Sequence, residues 1–300
     1  MRRGDRSRLA GASIDFTMRH RRSPGRDSRR IRPSAPSSSG LRADMDQDRE
    51  QERRTYFLCR MGFAVLAFAL IVASGETLVS LPIFFGARAF LPLLQHSTFW
   101  HWLDVPIVWG SLIGAYLLWG RWSEPSWQRR TGLLVLMSTV DLVLWFLDHG
   151  NDLGLRLGDV GHQWFRSHLG NALGWAEFAL MASLTCDVMV HLGVDQAAET
   201  GRATRSLAAT GAVVWMLLFC QETDWQRGWP LEERGARTLE TLLLRLGWHM
   251  IWTITLIQVT ALTIAATRQC TGVLRQIDQE DNENDLLRSA SEKDDDQFLE

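Results

Sequence analysis

Long apolar segments alternate with short polar segments through the middle of the chain, and six of the apolar segments contain neither Arg nor Lys. A helix rises about 1.5 Å per residue, so about 20 apolar residues cross a hydrocarbon core of about 30 Å. The pattern therefore predicts six transmembrane helices. They cover residues 61–82, 102–120, 132–147, 169–192, 207–221 and 247–267.

The apolar segments carry hydrophobic residues on every face, whereas a helix of a soluble protein shows an apolar stripe opposite a charged one. Segments 132–147 and 207–221 are short, and each taken alone also fits a buried helix of a soluble protein. Because backbone groups in a bilayer have no water to bond, each span must be helical. The predicted fold class is all-α, a polytopic membrane helix bundle with about six transmembrane helices and disordered polar tails.

Charge is distributed very unevenly along the chain. Residues 1–60 carry a net charge of +8 and residues 269–300 one of −7, although the whole chain sums to −2. Both ends are poor in apolar residues, a composition that is typical of disorder. We therefore predict a disordered Arg/Ser-rich cytoplasmic segment over 1–55, a transmembrane domain over 56–268, and an acidic disordered cytoplasmic tail over 269–300.

Arg and Lys close to the spans predict the orientation, because they favour the cytoplasmic side. With a cytoplasmic N-terminus, the inner flanks hold 12 of these residues and the outer flanks hold 7. We expect both termini to be cytoplasmic and the protein to lie in the bacterial inner (plasma) membrane. No secretory signal peptide is recognisable, and Met45 is a second candidate for the start of translation.

The chain has 14 Trp and 2 Tyr, and most Trp residues fall near the predicted ends of spans. Indole rings favour the headgroup level, so we interpret them as membrane anchors. The four Cys residues are far apart and form no C-x-x-C motif, which argues against a zinc ribbon, a thioredoxin-like site and a disulfide scaffold.

Three carboxylates lie at one depth in the predicted bundle. Glu76, Asp141 and Glu177 are about six to eight residues, or roughly 10 Å, from the outer ends of their spans. An ionisable group in a bilayer costs about 2.5–3.5 kcal/mol on insertion scales, so such groups usually face the bundle interior. We predict that the three acids form one buried cluster reached from the outer side. The competing interpretation is that they are protonated acids that pack the bundle through hydrogen bonds to other helices.

Further polar residues surround this cluster. Asp187 and His191 are four residues apart on the fourth span, and several histidines lie beside acids near the outer boundary. Imidazole with carboxylate suits a zinc or iron site or a proton relay. For Asp104, Asp148 and His249, contact with hydrated headgroups is the favoured interpretation. The candidate rim and relay residues are His101, Asp104, Asp148, His149, Asp187, His191 and His249.

No motif identifies a reaction. The sequence contains no H-E-x-x-H, no Walker loop, no G-x-S-x-G and no histidine pair within one span at the spacing that stacked haems need. Catalytic residues, a bound metal and any cofactor are therefore unassigned, and an enzyme is not the favoured class.

Three classes of function fit these observations. The favoured one is a membrane scaffold or interaction protein whose polar residues pack the bundle. The second is cation or proton transport or relay through the buried carboxylate cluster, because acids without an intramembrane Arg or Lys stay neutral unless a cation enters. The third is a membrane-embedded metalloenzyme with a His/carboxylate site near the outer face. Divergence of Glu76, Asp141 and Glu177 would leave only the scaffold.

The expected partners follow from the same features. The apolar spans bind the lipid bilayer, and the Arg-rich N-terminus attracts anionic lipid more simply than any specific nucleic acid. In the second span, Gly110-x-x-x-Gly114 permits close helix contact. A homo-oligomer is therefore one expectation for this chain.

Overall fold

The computed structural model describes residues 38–84, 97–149, 163–224, 229–230 and 239–297. These residues form six helices and one short antiparallel ribbon, in which β1 (Thr223–Asp224) pairs with β2 (Trp229–Pro230). The predicted all-α fold is confirmed. In chain order the helices are α1 Ser38–Phe84, α2 Ser97–Leu118, α3 Pro125–His149, α4 Gln163–His191, α5 Asp195–Glu222 and α6 Leu239–Gln297.

Each predicted span falls within one of these helices or overlaps it closely. In α2 the apolar stretch Leu103–Leu118 is shorter than a full membrane crossing, whereas the other five helices are long and apolar enough to span a bilayer. The chain is therefore a helical, multi-pass membrane protein. The five long apolar stretches are Gln47–Val79, Pro125–Leu147, His168–His191, Asp195–Cys220 and Leu246–Asn284.

Helix α4 lies at the centre of the bundle. About 56% of its apolar stretch is buried, against 17% for α3 and 22% for α5. On these outer helices, large apolar side chains such as Leu136, Val213 and Met216 are exposed. In water such a surface would drive association, whereas in a bilayer it faces lipid. The burial pattern therefore fits a bundle with an apolar exterior.

Glycines bring α1 and α2 into close contact. A Cβ atom at Gly114 would lie 2.6 Å from the Leu66 Cγ atom and 3.0 Å from the Gly62 carbonyl oxygen. At Gly110 it would lie 2.9 Å from the Ala69 Cβ atom. The Gly110-x-x-x-Gly114 motif therefore packs against α1 of the same chain. The expectation of a homo-oligomer has no support from this motif, since the surface it offers is already occupied.

Helices α1 and α6 extend beyond the predicted transmembrane domain and pair with each other. Arg49 lies 3.2 Å from Asp281 and Arg53 lies 2.9 Å from Asp278, so the two extensions run antiparallel. This differs from the disorder that composition predicts for 1–55 and 269–300. The prediction considered the composition of each tail separately. In the fold, opposite charges on the two neighbouring helices neutralise each other, which stabilises both extensions. Residues 1–37, which include most of the Arg-rich segment, lie outside the described residues.

Candidate functional site

A cavity of about 490 Å³ lies between five of the helices in one half of the bundle, which we call the cavity half. The end of α1, the start of α2, the end of α3 and the start of α4 meet there. Each of these helices contributes one carboxyl group to the cavity, from Glu76, Asp104, Asp141 and Glu177 respectively. No Arg or Lys is among the described residues that line it. The three acids predicted to converge therefore share one cavity.

Glu177 is the most deeply placed of these acids, with 8% of its surface exposed. The Ser138 hydroxyl donates a hydrogen bond of 2.8 Å to its Oε1 atom. Ser138 and Asp141 are three residues apart on α3, so both lie on the face that α3 turns towards α4. The sequence placed these two residues on one face, but it did not indicate that Ser138 would bond Glu177.

The acids of the cavity also interact through space. Asp104 interacts electrostatically with both Glu76 and Asp141, and Asp141 interacts with Glu177. Four like-charged groups in a low-dielectric region repel one another strongly when ionised. Because the described lining contains no Arg or Lys, protons or a cation would neutralise these groups.

The predicted rim is described only in part. His249 lines the cavity from α6, and its ring centroid lies 4.6 Å from that of Trp248. His101 belongs to α2, while Asp148 and His149 belong to the last turn of α3, but these three side chains lie outside the described residues. Their place in the rim stays a prediction.

The predicted relay along α4 is divided between two cavities. Asp187 forms an ion pair with Arg130 of α3, and it lines a second cavity of about 360 Å³ together with His191. Ten residues separate Asp187 from Glu177, which is about 15 Å along the helix and about 80° around it. Buried apolar side chains such as Leu134 and Leu184 occupy the levels between them. Asp187 and His191 therefore do not join the three acids.

Many other polar side chains pack the helices together. The Thr204 hydroxyl donates to the Gln258 Oε1 atom at 3.1 Å, which links α5 to α6. Ser74 and Thr260 hydroxyls lie 3.4 Å apart and link α1 to α6. Threonines of α6 also donate to backbone carbonyls four residues earlier, as Thr260 does to Leu256. Gln258 and Thr260 of α6 therefore serve helix packing.

Sequence reasoning missed the aromatic part of the cavity. Trp145, Trp248 and Trp252 line it, although their places near span ends indicated membrane anchors. The helical spacing could have indicated this lining, because residues four apart lie on one face of a helix. Trp145 is four residues after Asp141, and Trp252 is four residues after Trp248. Arg130 was also missed, since it precedes the predicted third span by two residues.

No group of three or more His, Cys, Asp and Glu side chains that could hold a metal ion occurs within the part of the chain that the structure describes. Comparison with known proteins gives no further guide, because no family model, no curated protein and no solved structure matches this chain. The chemistry of the site therefore has to be argued from its own residues.

Proposed function

We propose that this protein binds protons or a cation in the carboxylate-lined cavity and exchanges them with one side of the membrane, as part of cation or proton transport or relay. One observation carries the proposal: four helices each bring a carboxyl group to a single cavity whose described lining contains no Arg or Lys. Four such groups serve packing poorly, because a cavity of about 490 Å³ between them is unfilled by side chains.

When no cation is bound, the site holds its protons, because ionised carboxylates are unfavourable in a low-dielectric region without a counter-charge. A cation that enters supplies that counter-charge and displaces protons to water. Exchange of this kind needs access from only one side, and the buried apolar layer around Leu134 and Leu184 separates the cavity from the opposite end of the bundle.

We further propose that the cavity half faces the outside of a bacterial inner membrane and that both termini are cytoplasmic. This rests on the excess of Arg near the ends of spans on the other side. In support, the Arg130–Asp187 pair and the exposed Arg202 and Arg205 cluster at that other end.

Charge displacement on a solid-supported membrane tests the function. Vesicles with the full-length protein receive a jump from about pH 9 to about pH 5, a range that spans the protonation of buried carboxylates. We expect a transient current in wild type and its loss in the double variant Asp141→Asn, Glu177→Gln. Glu199→Gln is the matched control, because Glu199 is exposed on α5 and does not line the cavity.

A wild-type signal equal to that of protein-free vesicles would contradict the proposal, and so would a signal that the double variant retains in full. Either result would favour the scaffold or interaction protein, in which the acids are packing elements. The paired extensions of α1 and α6 would then be the first surface to examine, because their charged side chains, such as Arg49 and Asp281, are largely exposed.

A further inference from the structure

The cavity combines two kinds of side chain from different helices. Helices α1, α2 and α3 contribute the acids Glu76, Asp104 and Asp141. Helices α4 and α6 contribute the aromatic rings of Phe178 and Trp252, with Trp248 beside them. A ligand in the cavity therefore meets negative or neutral carboxyl groups and the faces or edges of aromatic rings in one space.

The aromatic part of the lining is held in place by its own packing. The Trp252 ring centroid lies 4.8 Å from that of Phe178 and 5.6 Å from that of Trp248. Behind it, the buried Trp175 packs edge-on with a centroid distance of 5.0 Å. Gly174 makes room for this ring, because a Cβ atom there would lie 2.6 Å from the Trp252 Cη2 atom. Rings fixed in this way bind a ligand without losing side-chain freedom.

Glu177 joins the two parts of the lining. It precedes Phe178 directly and is more than nine-tenths buried, yet it lines the cavity. Within the described residues, the hydrogen bond from Ser138 to Oε1 is the only one made to Glu177, so its Oε2 atom is available to a ligand. A carboxyl group beside an aromatic ring is the pairing that stabilises a positively charged ligand from two directions.

The size of the cavity and its side chains favour a large organic cation over a metal ion. A bound metal ion needs several ligand atoms within about 2.0–2.6 Å, and the described residues hold no such group. A cavity of about 490 Å³ instead falls in the range of about 300–1,000 Å³ that is typical for organic ligands. A diffuse positive charge binds well to ring faces and to carboxylates spread around it.

We propose that the cavity binds an organic ammonium ion whose hydrophobic part packs against Phe178, Trp248 and Trp252. This inference rests on the proposed function and names its ligand class. No covalent bond changes on binding: the ammonium ion enters, a carboxylic acid of the cavity loses its proton to water, and the resulting carboxylate pairs with the ammonium. Binding therefore releases about one proton for each cation taken up.

Equilibrium dialysis of the full-length protein in lipid nanodiscs against labelled benzyltrimethylammonium tests the inference. We expect saturable binding with release of about one proton for each bound cation. Trp252→Leu should weaken the affinity about tenfold, because it removes a cation–π contact in a desolvated site. Trp252→Phe keeps an aromatic ring, so its affinity for the probe should stay within about threefold of the wild-type affinity. Trp109→Leu is the control, because Trp109 is exposed on α2 and does not line the cavity.

Neopentylbenzene, in which carbon replaces the charged nitrogen, is the matched ligand, and it should not displace the probe. Equal affinities of Trp252→Leu and Trp109→Leu would overturn the inference, and so would displacement by neopentylbenzene. If Trp252→Leu does not fold, as judged by its melting temperature, Trp248→Leu provides the same comparison with Trp109→Leu.

The two proposals fail in different ways. A pH-jump current without any binding of benzyltrimethylammonium would overturn the ammonium inference and leave the proposed function standing. Absence of the pH-jump current in wild type would remove both. Binding with proton release that is lost in Glu177→Gln and weakened in Trp252→Leu would support both.

Discussion

The two acids of α4 have very different surroundings. Glu177 is 8% exposed, accepts a hydrogen bond from Ser138 and faces a cavity without Arg or Lys among its described lining. Asp187 is about one-third exposed at its side chain and pairs with Arg130. Both acids lie on one helix, yet Asp187 has a counter-charge from Arg130, whereas the described residues around Glu177 include no Arg or Lys. Asp187 is therefore part of a structural ion pair, whereas the surroundings of Glu177 are those on which the proposed ligand site rests.

The same contrast holds for the two halves of the bundle. In the cavity half, Gly174 makes room for the Trp252 ring, which borders the cavity. In the other half, which we call the packed half, Gly62 and Gly114 allow α1 and α2 to touch through their backbones. Substitutions that fill space should therefore have larger effects on stability in the packed half than in the cavity half.

Gly114→Ala should have the largest effect on stability. Its Cβ atom would lie 3.0 Å from the Gly62 carbonyl oxygen, which belongs to a helix backbone and has little freedom to move. We expect the free energy of unfolding to fall by about 1–3 kcal/mol, the usual range for overpacking. Unfolding in mixed detergent micelles, followed by tryptophan fluorescence, measures it.

Gly75→Ala is the control, since a Cβ atom at Gly75 meets nothing within 4 Å. It should be neutral or stabilise the helix by up to about 1 kcal/mol. Gly174→Ala sharpens the comparison, because its Cβ atom would meet only the side chain of Trp252, which borders the cavity, whereas the Cβ atom at Gly114 also meets a backbone oxygen. If Gly174→Ala costs as much as Gly114→Ala, the cavity half is as tightly packed as the other half.

Arg130→Met should have a moderate effect. It keeps an unbranched side chain but leaves Asp187 without its partner. Because both side chains are about one-third exposed, water screens the lost interaction, and we expect a cost of about 1 kcal/mol or less.

Adding Asp187→Asn to Arg130→Met should recover part of the cost, since no unpaired charge remains. Arg202→Met, which changes an exposed residue of the same second cavity, should leave the unfolding midpoint unchanged. If Arg130→Met and Arg202→Met lowered the unfolding midpoint equally, the ion pair would contribute nothing specific to stability.

Features that depend on the local sequence could be predicted, whereas contacts between residues far apart in the chain could not. Apolar length alone determined where the six helices lie, and depth along each span brought Glu76, Asp141 and Glu177 to one level. The neighbours of a helix depend on its rotation and on distant residues, so the pairing of Arg130 with Asp187, 57 residues apart, was not predicted. The paired extensions of α1 and α6 were missed for the same reason, because each tail has a partner only in the fold.

The aromatic side chains illustrate a second limit. A Trp near the end of a span fits a membrane anchor and a cavity lining equally well, because both environments combine apolar and polar groups. Trp119 is exposed as an anchor would be, whereas Trp175 is buried in the core. Burial of this kind depends on tertiary packing, which position along a span does not determine.

Glu177→Gln should have the smallest effect on stability. A glutamine carbonyl oxygen can accept the hydrogen bond of 2.8 Å that the Ser138 hydroxyl gives to Glu177, and the amide has nearly the shape of a protonated acid. We expect a change within about 0.5 kcal/mol, whereas Ser138→Ala should cost about 0.5–1.5 kcal/mol because it removes the donor. Unfolding midpoints measured in the same micelles at about pH 5 test both values against wild type, and at about pH 9, where the acid ionises in the unfolded chain, Glu177→Gln should be more stable than wild type. An acid that is neutral in the folded protein makes the Gln variant and wild type differ little at the lower pH. If Glu177→Gln instead destabilises the protein more than Gly114→Ala, a carboxylate at this position holds the bundle together, and the contrast between Asp187 and Glu177 fails.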